Sequence, residues 1–176
     1  MQNAILLIIY HDPEPLPFLA KEKEKENEAF FEFLQEADSV VLDQQVSALQ
    51  AAATSAIDCR KCGNCCRSLM INVEESEAEV VAGRLEISRQ VFDDQYLEKG
   101  VSGTMILNQI PCPFLHHNSC TIYSDRFSGC REFPALHVPD FQKRLFTTFQ
   151  HYDRCPIIFT VLESLKKNLS FQHAAD

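Results

Sequence analysis

Four cysteines lie within one short stretch of the chain, Cys59-Arg60-Lys61-Cys62-Gly63-Asn64-Cys65-Cys66. A C-x2-C step can direct two sulfurs at one metal, and two consecutive steps can direct three. Gly63 supplies the backbone freedom that such a tight turn needs. Cys66 is unusual, because adjacent side chains rarely converge on one small ion, so we expect it to serve a second metal or to pack in the core.

The other four cysteines each stand in a short local signature. These are Cys112-Pro113-Phe114-Leu115, Cys120-Thr121-Ile122-Tyr123, Cys130-Arg131-Glu132-Phe133-Pro134 and Cys155-Pro156. Cys155 precedes a predicted helix, whose positive end lowers the pKa of a thiol. Eight thiols suit one or two sites, and we predict the metal ligands to be Cys59, Cys62, Cys65, Cys66, Cys112, Cys120, Cys130 and Cys155.

The start of the chain carries no recognisable export signal. No lysine or arginine precedes Lys21, and the apolar run Ala4–Tyr10 is followed by no A-x-A-like cleavage site. The run is also too short to span a bilayer, so we expect no membrane association and a short buried strand or helix edge there. We expect the protein to be cytoplasmic. Thiols stay reduced in the cytoplasm, so clustered cysteines there indicate metal binding or redox chemistry rather than disulfides.

The charge of the chain is concentrated at one end. The formal net charge is −9, and residues 1–58 hold 11 acids against 3 bases. Nucleic acid is therefore not expected as a partner, since a phosphate backbone requires a basic face. Around the first cysteines the chain is locally basic, with Arg60, Lys61 and Arg67, which would favour thiolates.

Helical periodicity dominates the remaining pattern. Lys21–Glu26 alternates in charge and predicts a solvated helix. Two apolar stripes predict two helices or one bent helix before Cys59, with a cap at Asp38-Ser39; the stripes are Phe30, Leu34, Ala37, Val41 and Leu42, Val46, Leu49, Ala53, Ala56. We predict an acidic helical extension over residues 1–57, packed on a cysteine-cluster metal-binding domain over residues 58–176.

Further signals place helices and turns in the second part of the chain. Asn72 with Glu75 predicts a capping box, and Ser88 predicts a helix that ends at Gly100. Cys112–Leu115 and Cys120–Tyr123 predict a hairpin whose tip carries two histidines. Proline at position 156 predicts the start of the last helix. The expected fold is mostly α, a small helical domain with irregular cysteine-rich metal-binding loops and a short β-hairpin.

Several other side chains are assigned ordinary structural roles. The histidines are expected to be exposed rather than ligating; they are His116, His117, His137 and His151. Arg126 and Arg131 are expected to form salt bridges with Asp125 or Glu132. A core position is expected for Tyr123 and for the stripe Phe141, Phe146 and Phe149.

The identity of the metal is open between two cofactors. Four thiolates suit zinc and a 4Fe–4S cluster equally well. Structural zinc sites usually take two separated C-x2-C pairs, whereas this chain has one compact run, spaced like the ligands of bacterial ferredoxins. We therefore favour an iron–sulfur cluster, with zinc as the alternative.

The cysteine signatures together resemble the CxxCxxCC family, also called YkgJ-type cysteine-cluster proteins. The resemblance covers residues 57–158, includes Arg126-x3-Cys130-Arg-x-Phe-Pro, and gives every family cysteine a counterpart here. It implies a zinc- or iron-chelating domain. One departure is Phe127, where the family usually has proline, which is expected to loosen the loop before Cys130. Some relatives carry the domain in flagellin lysine-N-methylases.

Three functions follow as hypotheses. The first is an iron–sulfur protein with a redox, sensing or modification role. The second is a structural zinc module that binds a protein partner. The third, implied only by the relatives, is a protein-modifying enzyme component similar to a lysine N-methylase, so whether the chain is an enzyme stays open.

Overall fold

The computed structural model describes residues 5–101 and 103–173. Its helices, numbered along the chain, are α1 (Leu16–Glu22), α2 (Glu24–Glu36), α3 (Ser39–Ala56), α4 (Cys59–Cys62), α5 (Asn64–Ser68), α6 (Glu75–Arg84), α7 (Arg89–Tyr96), α8 (Ser128–Glu132), α9 (Leu145–Gln150) and α10 (Pro156–Asn168). Short 3-10 helices span Tyr123–Asp125 and Phe141–Arg144. The predicted mostly α fold is confirmed.

The strands are short and antiparallel. They are β1 (Asn72–Val73), β2 (Leu97–Lys99), β3 (Met105–Leu107), β4 (Leu115–His116) and β5 (Ser119–Cys120). One sheet has the order β1-β3-β2, and β4 pairs with β5 in a separate hairpin. Leu115 lies opposite Cys120 in that hairpin, so the predicted hairpin is confirmed.

The chain forms two compact units. The terminal unit contains the described residues up to Asp58 and those from Pro134 onward, and the central unit contains Cys59–Phe133. The predicted division into residues 1–57 and 58–176 stays a prediction, because compactness does not show which part folds alone.

The terminal unit is built around α10, which packs against α3. Its residues from Pro156 to Lys166 are all buried, so this helix lies in the core rather than presenting one apolar face. Helix α3 contributes Leu42, Val46, Leu49 and Ala53. The predicted cap is confirmed, since the Asp38 carboxylate accepts a hydrogen bond from the Val41 amide at 2.9 Å.

Two predictions for the terminal unit are wrong. Phe146 is 68% exposed, so it does not join Phe141 in the core. The described part of the run Ala4–Tyr10, residues 5–10, forms neither strand nor helix, and Ala4 lies outside the described residues. Instead, the backbone amides of alternate residues in the run donate hydrogen bonds to polar side chains of α10. The amide of Leu6 donates to Asn168, that of Ile8 to Ser164, and that of Tyr10 to Thr160.

The central unit corrects two helix boundaries. The capping box at the start of α6 is formed by Glu74 and Glu77 rather than by Asn72 and Glu75, because Asn72 belongs to β1. Ser88 caps α7 as predicted. That helix ends at Tyr96 rather than Gly100, because the following residues pair as β2 with β3.

Aromatic rings form the centre of this unit's core. Phe92 and Phe114 stack with their ring centroids 6.4 Å apart, and Phe127 lies 6.1 Å from Phe114. Phe127 is 1% exposed and directly precedes α8. The expectation that Phe127 loosens this loop is therefore not supported, because the buried ring anchors the chain where α8 begins.

Candidate metal centre

The first cysteine run folds into two short helices rather than an irregular loop. Cys59 and Cys62 are the ends of α4, and Cys65 and Cys66 belong to α5. Gly63 separates the helices with a φ of 62°, a left-handed conformation that glycine adopts without steric cost. The turn predicted at Gly63 is therefore confirmed, and it lies within the second C-x2-C step, between Cys62 and Cys65.

Cys66 is the point at which the two halves of the cysteine set meet. Its carbonyl oxygen accepts a 2.7 Å hydrogen bond from the amide of Cys112. A charged Cys66 thiolate disfavours ionisation of Cys112, Cys120 and Cys130. Four thiols of the central unit therefore share one electrostatic environment.

Three of these thiols lie against the aromatic core of the central unit. Cys120 ends β5, Cys130 lies within α8, and Cys112 precedes the hairpin. Each side chain is half-buried and packs on the core. Burial raises the pKa of Cys112 to about 11 and that of Cys130 to about 12, because the apolar surroundings disfavour the thiolate. Burial also raises the pKa of Cys120.

Cys66 behaves in the opposite way. Its pKa falls from 9.0 to about 7. The largest cause is its hydrogen bond with Cys65, whose sulfur lies 4.0 Å away, and Arg67 and Arg126 lower it further. A pKa near neutrality makes Cys66 the thiol of this group that most readily offers a thiolate to a metal.

Arginines of the central unit favour ionisation of three of these thiols. Arg126 favours the thiolates of Cys66, Cys120 and Cys130, and Arg84 favours that of Cys120. Sequence reasoning missed Arg84, which lies on α6 with no cysteine near it in the chain, so no local signal identifies it.

The predicted partners of the neighbouring arginines are wrong. Asp125 pairs with Arg84 at 2.7 Å, and Arg131 pairs with Glu77 of α6 at 3.1 Å. Both partners come from a helix distant in sequence, which local charge patterns cannot reveal.

Tyr123 also differs from its prediction. It is 38% exposed rather than part of the core. Its ring lies under the guanidinium of Arg126, 4.1 Å from the centroid, and Arg60 lies 5.8 Å away. These distances fit cation–π contacts that hold Arg126 near the thiols.

The remaining predicted ligands are placed as follows. Cys59 is exposed, Cys62 is half-buried, and Cys155 is the buried N-cap of α10 in the terminal unit. None of the eight cysteines, all within the described range, is joined in a disulfide. Among residues 5–101 and 103–173, no three His, Cys, Asp or Glu side chains form a group that could hold a metal ion. The eight-cysteine ligand set stays a prediction.

The histidines occupy varied positions. His116 and His117 lie exposed at the hairpin turn with their rings 4.4 Å apart. In the terminal unit, the Nδ1 of His137 lies 3.1 Å from the side-chain amide nitrogen of Gln50. Burial lowers the pKa of His151, which favours its neutral form.

Comparison with known proteins places the cysteines in a family context. A model of the CxxCxxCC family, described as "Putative zinc- or iron-chelating domain", matches residues 58–155. The match covers more than half of the chain and contains every cysteine, which confirms the predicted resemblance. No curated protein and no solved structure matches the chain. Within the described residues, no helix is both long and apolar enough to cross a membrane.

Proposed function

This chain belongs to the CxxCxxCC family, and on that premise we propose that it is a metal-binding protein whose cysteines hold an iron–sulfur cluster. The proposed role is redox or sensing chemistry in the cytoplasm. The proposed ligands are drawn from the eight predicted cysteines, with Cys66, Cys112, Cys120 and Cys130 as the central group.

One observation carries this proposal. Cys66, Cys112, Cys120 and Cys130 come from separate segments of the central unit, and their thiols share one electrostatic environment. The amide of Cys112 also donates to the carbonyl oxygen of Cys66 at 2.7 Å, so the compact cysteine run and the later cysteines adjoin in the central unit. Soft thiolate donors are the ligands that zinc and iron–sulfur clusters prefer, so the chemistry of this donor set fits the proposed cofactor.

The protein residues have distinct parts in holding such a centre. Cys66 can ionise near neutral pH and would bind first. Cys112 and Cys130 would release their protons on binding, because a metal stabilises the thiolate that burial disfavours. Arg67 and Arg126 would offset the negative charge of several thiolates. An iron–sulfur cluster, when bound, supplies one-electron transfer.

Zinc is the alternative outcome, because four thiolates also form structural zinc sites. The compact C-x2-C-x2-C spacing from Cys59 to Cys65 favours the cluster over zinc.

Anaerobic purification with metal and sulfide analysis tests the proposal. We expect a brown protein with equal amounts of iron and acid-labile sulfide. Colourless protein with stoichiometric zinc would support the zinc module instead of the iron–sulfur cluster. Protein without either metal would refute metal binding.

Cysteine variants test the ligand set. We expect Cys66→Ala, Cys62→Ala and Cys65→Ala each to lose most of the bound metal. His117→Ala is the matched control, since it truncates an exposed side chain of the same unit, and it should retain the metal. Full metal content in the cysteine variants would contradict the assignment.

A further inference from the structure

We propose that a basic surface recess of the central unit binds the phosphate group of a small molecule. The recess has a volume of about 590 Å³ and is lined by Arg60, Lys61, Arg67, His117, Asn118 and Ser119. None of these residues is a predicted metal ligand, and Arg67 alone also has a part in the proposed function, so this inference goes beyond that function.

The charge of the recess is its first notable feature. Three cationic side chains line it, and no acidic side chain does. The Lys61 ammonium forms no ion pair within the described part of the chain, and it is exposed. Like charges held together repel one another, and a recess lined by one sign of charge concentrates the opposite ion. An anion in the recess would remove this repulsion.

Arg67 is held in place by neutral acceptors. Its Nη2 donates to the carbonyl oxygen of His117 at 2.9 Å and to Oδ1 of Asn118 at 2.5 Å. Its Nη1 donates to the carbonyl oxygen of Cys62 at 3.3 Å. These bonds orient the guanidinium without neutralising it, so the cost of ordering it for a ligand is already met.

The walls of the recess are joined to one another. Asn118 donates from Nδ2 to the carbonyl oxygen of Lys61 at 3.2 Å, which links the hairpin turn to α4. A Cβ atom on Gly63 would lie 3.0 Å from Nη1 of Arg67 and 3.1 Å from the carbonyl oxygen of Asn118. The close approach of the two walls therefore depends on glycine, and the recess is a built feature rather than a chance gap between flexible side chains.

The chemistry of the lining indicates the class of ligand. Guanidinium groups pair with phosphate through two parallel hydrogen bonds, and an ammonium adds a point charge. The charges of Lys61 and Arg67 match a dianionic phosphate better than a single carboxylate. A nucleic acid is disfavoured, because a chain of net charge −9 repels a long polyanion. A small phosphorylated molecule satisfies both conditions.

Calorimetric titration of inorganic phosphate into the whole metal-loaded chain tests this proposal. We expect saturable binding that weakens about tenfold in Lys61→Gln, the loss expected for one charged hydrogen bond. Lys99→Gln is the matched control, because it removes the same charge from an exposed position of the same unit outside the recess. It should change the affinity by less than about twofold.

Equal weakening by Lys61→Gln and Lys99→Gln would overturn the proposal, as would no binding by the wild-type protein. Acetate at matched ionic strength should compete poorly, and equal competition would overturn the selectivity for a dianion. Metal content is measured in every variant. Phosphate that binds to the metal itself would still bind to metal-loaded Lys61→Gln, and unchanged binding by that variant would contradict the recess as the phosphate site. Absent metal with intact phosphate binding would count against the proposed function alone.

Discussion

The amide of Cys112 donates a 2.7 Å hydrogen bond to the carbonyl oxygen of Cys66. This bond connects the compact cysteine run to the widely spaced cysteines that follow it. The two thiols differ in acidity, with a pKa of about 7 for Cys66 and about 11 for Cys112. A metal bound by both would therefore compete with protons differently at each ligand.

We predict that metal retention increases with pH. Binding must displace protons from Cys112 and Cys130 throughout the neutral range, and below pH 7 it must displace one from Cys66 as well. The thiolate is the binding form, so acidification weakens binding. Metal content after equilibration with a competing chelator, corrected for the chelator's own protonation, measures this dependence. Retention that is constant from acidic to alkaline pH would contradict it.

We predict that Gly63→Ala lowers the free energy of unfolding by about 1–2 kcal/mol, the cost of a left-handed non-glycine residue. The added Cβ would also crowd Arg67. Gly83→Ala is the control, since its Cβ would meet nothing within 4 Å and alanine favours the helix α6. That variant should gain up to about 1 kcal/mol. Urea unfolding of both variants measures the difference. Equal free energies of unfolding for Gly63→Ala and Gly83→Ala would contradict the prediction that alanine is strained at position 63.

We predict that Lys166→Met destabilises the protein by about 3 kcal/mol, because it leaves a buried carboxylate with fewer partners. Lys166 is 3% exposed and donates to Glu163 and Asn27, each at 2.7 Å. Lys23 also pairs with Glu163 at 3.0 Å and limits the loss. Lys167→Met removes an exposed charge from the same helix and should change stability by less than about 0.5 kcal/mol. Thermal unfolding of both variants under identical conditions tests the contrast.

We predict a pH-dependent contribution from Asp43 in the terminal unit. Its carboxylate accepts hydrogen bonds from the amides of Phe141 at 2.9 Å and Asp140 at 2.8 Å. These bonds hold its pKa below the ordinary 3.8. The stabilisation is therefore complete above pH 3.8 and is lost as the pH falls through the lower folded-state value.

The variant Asp43→Asn should accordingly be less stable than wild type at neutral pH, and the difference should close in strong acid. Asp94→Asn is the control, because that exposed carboxylate has no hydrogen-bond partner among the residues the structure describes. Urea midpoints across the acid range measure both variants. A difference that persists unchanged in strong acid would assign the effect to the amide side chain rather than to charge.

Local features of this fold could be predicted from the sequence because short-range interactions determine them. Asp38 and Ser88 cap helices through amides three residues ahead, and the hairpin pairs residues close in the chain. The capping box at α6 could not be assigned to the correct residues, because Glu74, Glu75 and Glu77 offer several registers. Asn72 pairs with Ile106 of β3 as part of β1, which excludes the capping box of Asn72 with Glu75 that the sequence predicts.

The sequence by itself determined that this is a cysteine-cluster protein of the CxxCxxCC family, because eight thiols and their spacing are properties of the chain alone. Tertiary structure alone decided how these thiols differ in acidity. Cys112, Cys120 and Cys130 pack on the core of the central unit, where burial raises the pKa of each. Hydrogen bonding and nearby arginines lower the pKa of Cys66. Burial and through-space charge depend on residues far apart in the chain, and no spacing pattern encodes them.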